Sequence, residues 1–269
     1  MIATIAGPIG YIGPPGSWTH QACLDLFGNQ HLVALSSEAL FARYRSGDLA
    51  HICVPVTTSI VGVTPYLDAV LALPEVRIVA EYPKMLGYSL LARPGTRRED
   101  IREVLAHPVA LEEVKPWLDR EMPHVRRTEA SSGGAAAQAI AGSTDLDKAC
   151  FGPKTGSALY SLVSLQEGIE EGPHNVTRWW VLGQDMPAPS GHDKTSLLVD
   201  TSDNRFGALL GLLIQAGAQI LTIYERPSKL TLDTHRYLIE VAGHAKDEHL
   251  ASVLRQHPDF RVLGSYPRK

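Results

Sequence analysis

The most constraining pattern in this sequence follows residue 193, where strand-like and helix-like segments alternate in a regular order. Alternating apolar residues predict strands, and apolar residues that recur every three to four positions predict helices. The predicted segments are a strand at 194–200, a helix at 206–217, strands at 219–225 and 236–241, a helix at 247–256 and a strand at 260–266. The order βαββαβ over about 75 residues is that of a ferredoxin-like module. Asp247 is predicted to cap the second helix.

A break in periodicity separates this module from the rest of the chain. Proline, serine and glycine residues at 187–191 interrupt any repeating pattern, and such residues punctuate regular structure. We therefore predict a linker at 186–193 between a first domain at 1–185 and a second domain at 194–269.

The first domain shows a coarser alternation of strand and helix patterns. Thr64 is placed to cap a helix that begins with a proline. The short apolar runs at 52–56, 76–80 and 89–92 alternate with helical segments such as 64–73. This alternation predicts an α/β domain with a mainly parallel sheet.

Composition limits the possible partners and cofactors. The 269 residues carry a formal net charge of −4, which gives no electrostatic footprint for nucleic acid or an anionic membrane. No apolar run approaches the length of a membrane span, and residues 1–6 are too short a stretch for a secretory signal. The widely spaced Cys23, Cys53 and Cys150 predict reduced thiols and a cytoplasmic location. The scattered histidines offer no zinc site, so no metal is predicted.

Two Gly- and Ser-rich loops lead into predicted helices. The first loop, at 13–17, ends in Ser17, and the second, at 131–134, begins with Ser131 and Ser132. A serine at a helix start leaves further backbone N–H groups free to bind an anion. The alternative for either loop is a helix cap without a ligand. Neither loop has the lysine of a Walker motif or the glycine spacing of a dinucleotide-binding motif, so no nucleotide cofactor is predicted.

A hydroxyl group and a fixed cation stand side by side at Thr177 and Arg178. Arginine can hold a carboxylate through two parallel hydrogen bonds, and threonine can donate one more. Adjacent residues on an extended strand point to opposite faces, so the pair can share one anionic ligand only at a strand end or a bend. The alternative is an edge strand with a solvated arginine.

Together these motifs resemble those of the prephenate dehydratase family over nearly the whole chain. The matching segments lie at 13–19, 107–111, 152–162 and 175–179, in the family's order. The resemblance implies an α/β, bilobed, periplasmic-binding-protein-like catalytic domain with its site between the lobes.

The resemblance also implies roles for individual residues. Thr177 is expected to assist departure of the substrate's hydroxyl group, and Arg178 is expected to belong to the substrate pocket. Ser17, Ser131 and Ser132 are predicted to bind the substrate from their helix starts.

The sequence departs from the family at one polar segment. Where the family has Glu-Asn-Ser after a Val-Pro strand end, this chain has Thr57, Thr58 and Ser59, and Gly133 stands where a threonine is expected. The change removes one negative charge and shortens two hydrogen-bonding groups, which alters the polarity of the pocket. We predict Thr57, Thr58 and Ser59 as substrate-binding residues.

The C-terminal module resembles the ACT domain that follows the catalytic domain in many bacterial prephenate dehydratases. That resemblance implies a possible phenylalanine effector and a homodimer or homotetramer assembled partly through residues 194–269. The predicted effector-binding residues are Asn204, Gly207, Ala208, Leu209, Glu225, Arg226 and Pro227. The family's Glu-Ser-Arg-Pro motif reads Tyr-Glu-Arg-Pro at 224–227, and a purely structural dimerisation module is the alternative.

Three functions from different classes remain open. The favoured prediction is a lyase that converts prephenate to phenylpyruvate with loss of water and carbon dioxide, and the retained Thr177 supports it. The altered segment at 57–59 keeps open a decarboxylase of specialised metabolism that acts on prephenate or a related dicarboxylate without aromatisation. A non-catalytic small-molecule sensor is the third prediction, because an ACT-like module joined to an altered site would serve regulation.

Overall fold

The computed structural model of the chain describes residues 7–28, 30–171, 174–229 and 231–269. The stretch at 1–6, which we judged too short for a secretory signal, lies outside them. The chain forms two compact units. One extends to Leu67 and includes Tyr82–Trp179, and the other comprises Asp68–Glu81 and Trp180–Lys269. The domain boundary at 186–193 stays a prediction. In the described ranges no helix is long and apolar enough to cross a bilayer.

The described residues contain fifteen strands. In chain order they are β1 (Ile9–Ile12), β2 (Leu32–Leu35), β3 (His51–Thr58), β4 (Gly62–Val63), β5 (Ile78–Met85), β6 (Ser89–Ala92), β7 (Glu103–Ala106), β8 (Arg126–Glu129), β9 (Lys148–Gly152), β10 (Val163–Glu167), β11 (Val176–Leu182), β12 (Asp193–Ser202), β13 (Ile220–Pro227), β14 (Thr234–Ala242) and β15 (Arg261–Pro267).

Nine α-helices and one short 3₁₀ turn, Arg98–Asp100, connect these strands within the same ranges. The helices are α1 (Trp18–Phe27), α2 (Ser37–Arg45), α3 (Pro65–Leu71), α4 (Pro108–Glu113), α5 (Lys115–Glu121), α6 (Gly133–Gly142), α7 (Thr155–Tyr160), α8 (Asp203–Gln215) and α9 (Glu248–Gln256).

The first sheet has the strand order β2-β1-β3-β11-β5, with β4 paired to β3. Strand β1 lies parallel to both β2 and β3. In β3 the successive residues Ile52, Cys53 and Val54 are all buried, so both faces of the sheet are covered, as is usual where helices pack on parallel strands. Helices α1 and α2 pack on these strands.

The second sheet has the order β10-β6-β9-β7-β8 and is mixed rather than mainly parallel. Strand β7 runs parallel to β8 and β9, whereas β6 runs antiparallel to β9 and β10. The expectation of a mainly parallel sheet therefore fails for this sheet, because β6 enters it from the first sheet and runs against both of its neighbours, β9 and β10. Helices α4 and α6 pack on this sheet.

The C-terminal module has the predicted βαββαβ order, with an antiparallel sheet in the order β13-β14-β12-β15. Its two helices bury one face of the sheet. The core residues are Leu197, Val199, Leu209, Leu213, Ala218, Tyr237, Ile239, Val241, Leu250, Val253 and Phe260. In β14 the alternate residues Tyr237, Ile239 and Val241 belong to this core, as the two-residue repeat of a strand requires.

Two predicted helix caps form differently. Asp247 lies at the N-cap position of α9, but its carboxylate accepts from the backbone N–H of His244 instead of from the helix. Thr64 precedes α3, and its hydroxyl donates to the carbonyl oxygen of Pro55. In both cases a neighbouring backbone group competes for the side chain that the helix start was expected to use.

Candidate functional site

Two of the predicted helix starts meet in the first unit. Ser17 caps α1 by accepting from the backbone N–H of His20, and Ser132 caps α6 by accepting from Ala135. Gly134, in the first turn of α6, lies against the loop before α1. A Cβ atom at this position would come within 2.7 Å of the carbonyl oxygen of Pro15. Glycine therefore permits the two helix starts to approach each other.

A cavity of about 740 Å³ opens at these helix starts. Its lining comes from both sheets of the first unit and includes a third helix start, because Ser36 caps α2 by accepting from Ala39. The polar lining residues are Ser17, Thr19, Ser36, Ser37, Thr58, Thr64, Tyr66, Tyr88, His107, Ser131, Ser132, Asn175 and Thr177. Each helix start carries a partial positive charge and free N–H groups, so the cavity is suited to an anionic ligand.

Thr177 lies in the second position of β11 and lines the cavity. Its side chain is buried, yet in the part of the chain that the structure covers no protein group hydrogen bonds to its hydroxyl. A buried hydroxyl without a protein partner is available to a bound ligand. The cavity therefore contains Thr177, Ser17, Ser131 and Ser132 together.

Arg178 does not line the cavity with Thr177. The two residues occupy consecutive positions of β11, where adjacent side chains lie on opposite faces of the strand. The Arg178 Nε atom instead donates to Thr57 Oγ1 at 3.2 Å. Thr57 is likewise absent from the cavity lining. The expectation that Thr177 and Arg178 share one ligand at a strand end is therefore not met in this structure, and substrate binding by Arg178 and Thr57 stays a prediction.

The other two residues of the altered polar segment belong to the β3–β4 hairpin. Thr58 lines the cavity, and its Oγ1 atom accepts from the backbone N–H of Val61 at 3.0 Å. The Ser59 hydroxyl donates to the carbonyl oxygen of His174 and accepts from the N–H of Val176, and this residue does not line the cavity. These two hydrogen bonds join the hairpin to the start of β11. Both are made with backbone groups, so the Ser59 hydroxyl is already occupied.

Two cavity residues received no role from the sequence. The indole N–H of Trp18 and the side-chain oxygen of Asn175 are buried, and neither atom has a hydrogen-bond partner among the described residues. Both residues lie in segments that carried the family resemblance, at 13–19 and 175–179. Unpaired buried polar atoms are costly unless a ligand or water satisfies them. They offer one donor and one acceptor to a ligand.

Comparison with known proteins decides the family. The family model described as prephenate dehydratase matches residues 9–187. The chain belongs to the prephenate dehydratase family. It is 31% identical over 268 residues to the bifunctional chorismate mutase/prephenate dehydratase of Neisseria gonorrhoeae, covering 96% of this chain and 74% of that protein. It is also 31% identical to the prephenate dehydratase of Mycolicibacterium vanbaalenii, covering 96% of this chain and 90% of that protein.

Solved structures share the fold of this family member. The prephenate dehydratase from Arthrobacter aurescens in complex with L-Phe aligns with a TM-score of 0.88 at 28% identity, over 97% of this chain and 90% of that chain. GqqA, described as a novel type of quorum-quenching acylase, aligns with a TM-score of 0.88 at 21% identity, over 98% of each chain. The second likeness shows the fold alone, since one fold hosts different reactions.

A cluster of acidic and hydroxyl groups adjoins the cavity of this family member. The hydroxyl of Tyr88, which lines the cavity, donates to Glu113 Oε1 at 3.1 Å, and the backbone N–H of Tyr88 donates to Glu170 Oε2 at 2.7 Å. Burial raises the pKa of Glu113 to about 7, while contacts with Tyr88 and Asn175 oppose the shift. No pattern in the sequence pointed to Glu113.

His107 is the only cavity-lining residue among those described that can titrate near neutral pH. It caps α4, with its Nδ1 atom accepting from the backbone N–H of Val109 at 3.3 Å. Burial lowers the pKa of its imidazole, and Glu129 partly opposes this effect. The neutral ring is therefore favoured.

Among the described residues that line this cavity there is no lysine or arginine. The described residues also contain no group of three or more His, Cys, Asp or Glu side chains placed to hold a metal ion. The positive field of the cavity thus originates mainly from the helix starts.

The predicted effector-binding segments lie in the C-terminal module and are linked by a histidine that the sequence did not indicate. His235 Nδ1 lies 2.6 Å from Glu225 Oε1, and its Nε2 lies 3.3 Å from Asp203 Oδ1 at the start of α8. The hydrogen bond with Glu225 is the main cause that raises the pKa of His235. The two segments around 204–209 and 225–227 therefore lie at one end of the module.

The remaining effector candidates have different surroundings. Arg226 forms a bidentate pair with Asp68, at 2.7 and 2.6 Å, and Asn204 Oδ1 accepts from the Ser202 hydroxyl. Leu209 is part of the core, whereas Gly207 and Ala208 are exposed. Pro227 ends β13 opposite His235. Effector binding by these residues stays a prediction.

Proposed function

We propose that the chain is a prephenate dehydratase that binds prephenate in the cavity of the first unit and converts it to phenylpyruvate, water and carbon dioxide. Membership of the prephenate dehydratase family supports this activity. The observation that carries the proposal is Thr177, a buried hydroxyl that lines a cavity flanked by three helix starts and has no partner among the described residues.

The chemistry requires two kinds of help from the protein. The prephenate dianion gains one proton and yields the phenylpyruvate monoanion, carbon dioxide and water. Loss of carbon dioxide pushes electrons through the ring and expels the ring hydroxyl, and aromatisation drives the reaction. The site must hold two carboxylates and must donate hydrogen bonds to the departing oxygen.

Thr177 is proposed as the residue that donates a hydrogen bond to the departing hydroxyl. A threonine hydroxyl is a weak acid, so it stabilises charge on the leaving oxygen and does not transfer a proton outright. Such a donor in a site that excludes water contributes about 3–4 kcal/mol to the transition state.

The helix starts are proposed to hold the carboxylates. Ser17, Ser36 and Ser132 cap three of the helices that begin at the cavity, and the remaining N–H groups of their first turns are free to donate. Ser131 adds a hydroxyl beside the start of α6. The Trp18 indole N–H is proposed as a further donor to the substrate.

The test is a product assay with prephenate and two variants of Thr177. Phenylpyruvate, detected by its absorbance in base, should accumulate with the wild-type protein and with Thr177→Ser, which keeps the hydroxyl. Thr177→Val keeps the shape of the side chain without the hydroxyl and should lose most of the activity. Loss of carbon dioxide without an aromatic product would instead support the non-aromatising decarboxylase, and unchanged prephenate would support the sensor.

We further propose that the C-terminal module is an ACT-like domain that binds phenylalanine and mediates a homodimer or homotetramer in the cytoplasm. The structure of the Arthrobacter aurescens relative with L-Phe supports the choice of ligand. Strand β13 is an edge strand of the module's sheet, and edge strands are commonly covered by pairing with a second copy. The buried, free cysteines suit a reducing compartment.

Two glycines of α8 provide a matched test of phenylalanine binding. Gly207 lies within the predicted effector segment and Gly211 lies one turn later, and neither would bring a new Cβ atom within 4 Å of another group. Gly207→Val should abolish phenylalanine binding measured by calorimetry, whereas Gly211→Val should retain it. Sedimentation velocity at micromolar concentration should show an oligomer for the wild-type chain, and a monomer would refute the assembly.

A further inference from the structure

A buried polar cluster beside the cavity has no role in the proposed chemistry. It consists of Tyr88, Glu113, Glu170 and Asn175, and two of its members, Tyr88 and Asn175, line the cavity. Glu113 lies at the end of α4, does not line the cavity and is only 2% exposed. Tyr88 packs edge-on against Trp18, with 6.0 Å between ring centroids.

Two acceptor atoms of this cluster have no hydrogen-bond donor among the described residues. Glu113 Oε1 accepts from the Tyr88 hydroxyl, but Glu113 Oε2 and Asn175 Oδ1 are buried and have no partner within the described ranges. An ionised carboxylate only accepts hydrogen bonds, whereas the neutral acid also donates one. A proton on Glu113 therefore provides a donor that the cluster otherwise lacks.

Burial and one neighbouring charge favour the neutral form of Glu113, whereas its contacts with Tyr88 and Asn175 favour the ionised form. The titratable groups are Tyr88, which precedes β6, and Glu170, which follows β10. The negative charge of Glu170 and the burial of the carboxyl group both raise the pKa of Glu113. Asn175, which precedes β11, is uncharged. At neutral pH the carboxyl group thus exchanges between its neutral and ionised forms.

We propose that Glu113 is a positioning residue that must be neutral for turnover, because its protonation state sets the direction in which the Tyr88 hydroxyl donates. When Glu113 is ionised, the Tyr88 O–H is held on Glu113 Oε1. When Glu113 is neutral, its own O–H donates within the cluster, and the Tyr88 O–H is free to donate into the cavity toward the departing oxygen. This inference rests on the proposed function and deepens it.

The test compares pH profiles of kcat for charge-matched variants. Glu113→Gln keeps the size of the side chain and mimics the neutral acid, since an amide both donates and accepts. Glu112→Gln makes the same change on the preceding residue of α4, which is exposed, and serves as the control.

The wild-type protein and Glu112→Gln should lose activity with a one-proton dependence as the pH rises through about 7. Glu113→Gln should keep kcat within a few-fold of the wild-type plateau and should show no such fall. Tyr88→Phe should lower kcat, and its kcat should no longer decrease as the pH rises through about 7. The proposal is overturned if the activity of Glu113→Gln still falls as the pH rises through about 7, or if that of the wild-type protein does not. It is also overturned if folded Glu113→Gln is inactive at every pH.

Infrared difference spectra of the substrate-free protein separate this proposal from the proposed function. A neutral carboxylic acid band should be present in the wild-type protein at pH about 6, absent at pH about 9, and absent from Glu113→Gln at both. Wild-type protein that shows this band but makes no phenylpyruvate rejects the dehydratase activity alone. Absence of the band rejects the role of Glu113 whatever the activity.

Discussion

Arg178 Nε donates a hydrogen bond to Thr57 Oγ1 at 3.2 Å and so links two neighbouring strands of the first sheet. The family resemblance implies that Arg178 belongs to the substrate pocket, but neither residue lines the cavity. We therefore expect the guanidinium group to act on the site by holding the altered segment at the end of β3. A lysine keeps the charge but not the Nε donor.

A double-mutant cycle tests this relationship. Arg178→Lys and Thr57→Val should each raise KM for prephenate several-fold, and the double variant should be no worse than the more severe single variant, because both changes remove the same contact. Steady-state kinetics measure the four proteins. Additive effects with a much larger change in Arg178→Lys would mean that Arg178 binds the substrate directly.

Thr177 should affect turnover rather than binding. Its hydroxyl is proposed to stabilise charge that develops only as the ring oxygen departs, so Thr177→Val should lower kcat about a hundred- to thousandfold with little change in KM. Thr177→Ser should remain within about tenfold of the wild-type kcat, since it retains the donor. Equal losses in the two variants would show that packing of the methyl group, and not the hydroxyl, is what matters.

The parts of the site that the sequence predicted depend on local rules. Ser17 and Ser132 cap helices because a short hydroxyl side chain satisfies the N–H groups of the turn that follows it. The opposite orientation of Thr177 and Arg178 also follows from the two-residue repeat of a strand. The resemblance to the family places both residues in one substrate pocket, and for Arg178 this stays a prediction.

The parts that the sequence missed depend on contacts between distant segments. Glu113 follows another glutamate, and residue type does not distinguish the buried carboxylate from the exposed one. Its neighbours Tyr88 and Asn175 lie 25 and 62 positions away along the chain. The pairing of His235 with both Glu225 and Asp203 is likewise formed only when β13, β14 and α8 pack together.

Glu113 should make the folded protein less stable as the pH rises. Its pKa is raised from 4.5 to about 7 in the folded state, so between these values the folded protein binds more protons than the unfolded chain. As the pH rises from 4.5 to about 7, the ionisation of Glu113 lowers the free energy of unfolding by up to about 3 kcal/mol. Above this range the loss stays constant. Urea unfolding at pH about 5 and 8 should show this loss in the wild-type protein and in Glu112→Gln, but not in Glu113→Gln. A parallel loss in Glu113→Gln would assign it to other groups.

Lys194 should be a major contributor to the stability of the second unit. Its Nζ atom lies 2.8 Å from Glu81 Oε2 and 3.9 Å from Glu240 Oε2, and the side chains are 10%, 1% and 1% exposed. Lys194→Met removes the cation and leaves two buried carboxylates, which should cost about 3–5 kcal/mol in urea unfolding. Lys154→Met is the control, because Lys154 pairs with Glu167 at 2.9 Å on the surface, where a pair contributes about 1 kcal/mol or less.

Adding Glu81→Gln and Glu240→Gln to Lys194→Met should recover part of the loss, since neutral amides need no counter-ion. Equal stabilities of Lys194→Met and the control would show that the buried cation contributes no more than a surface pair.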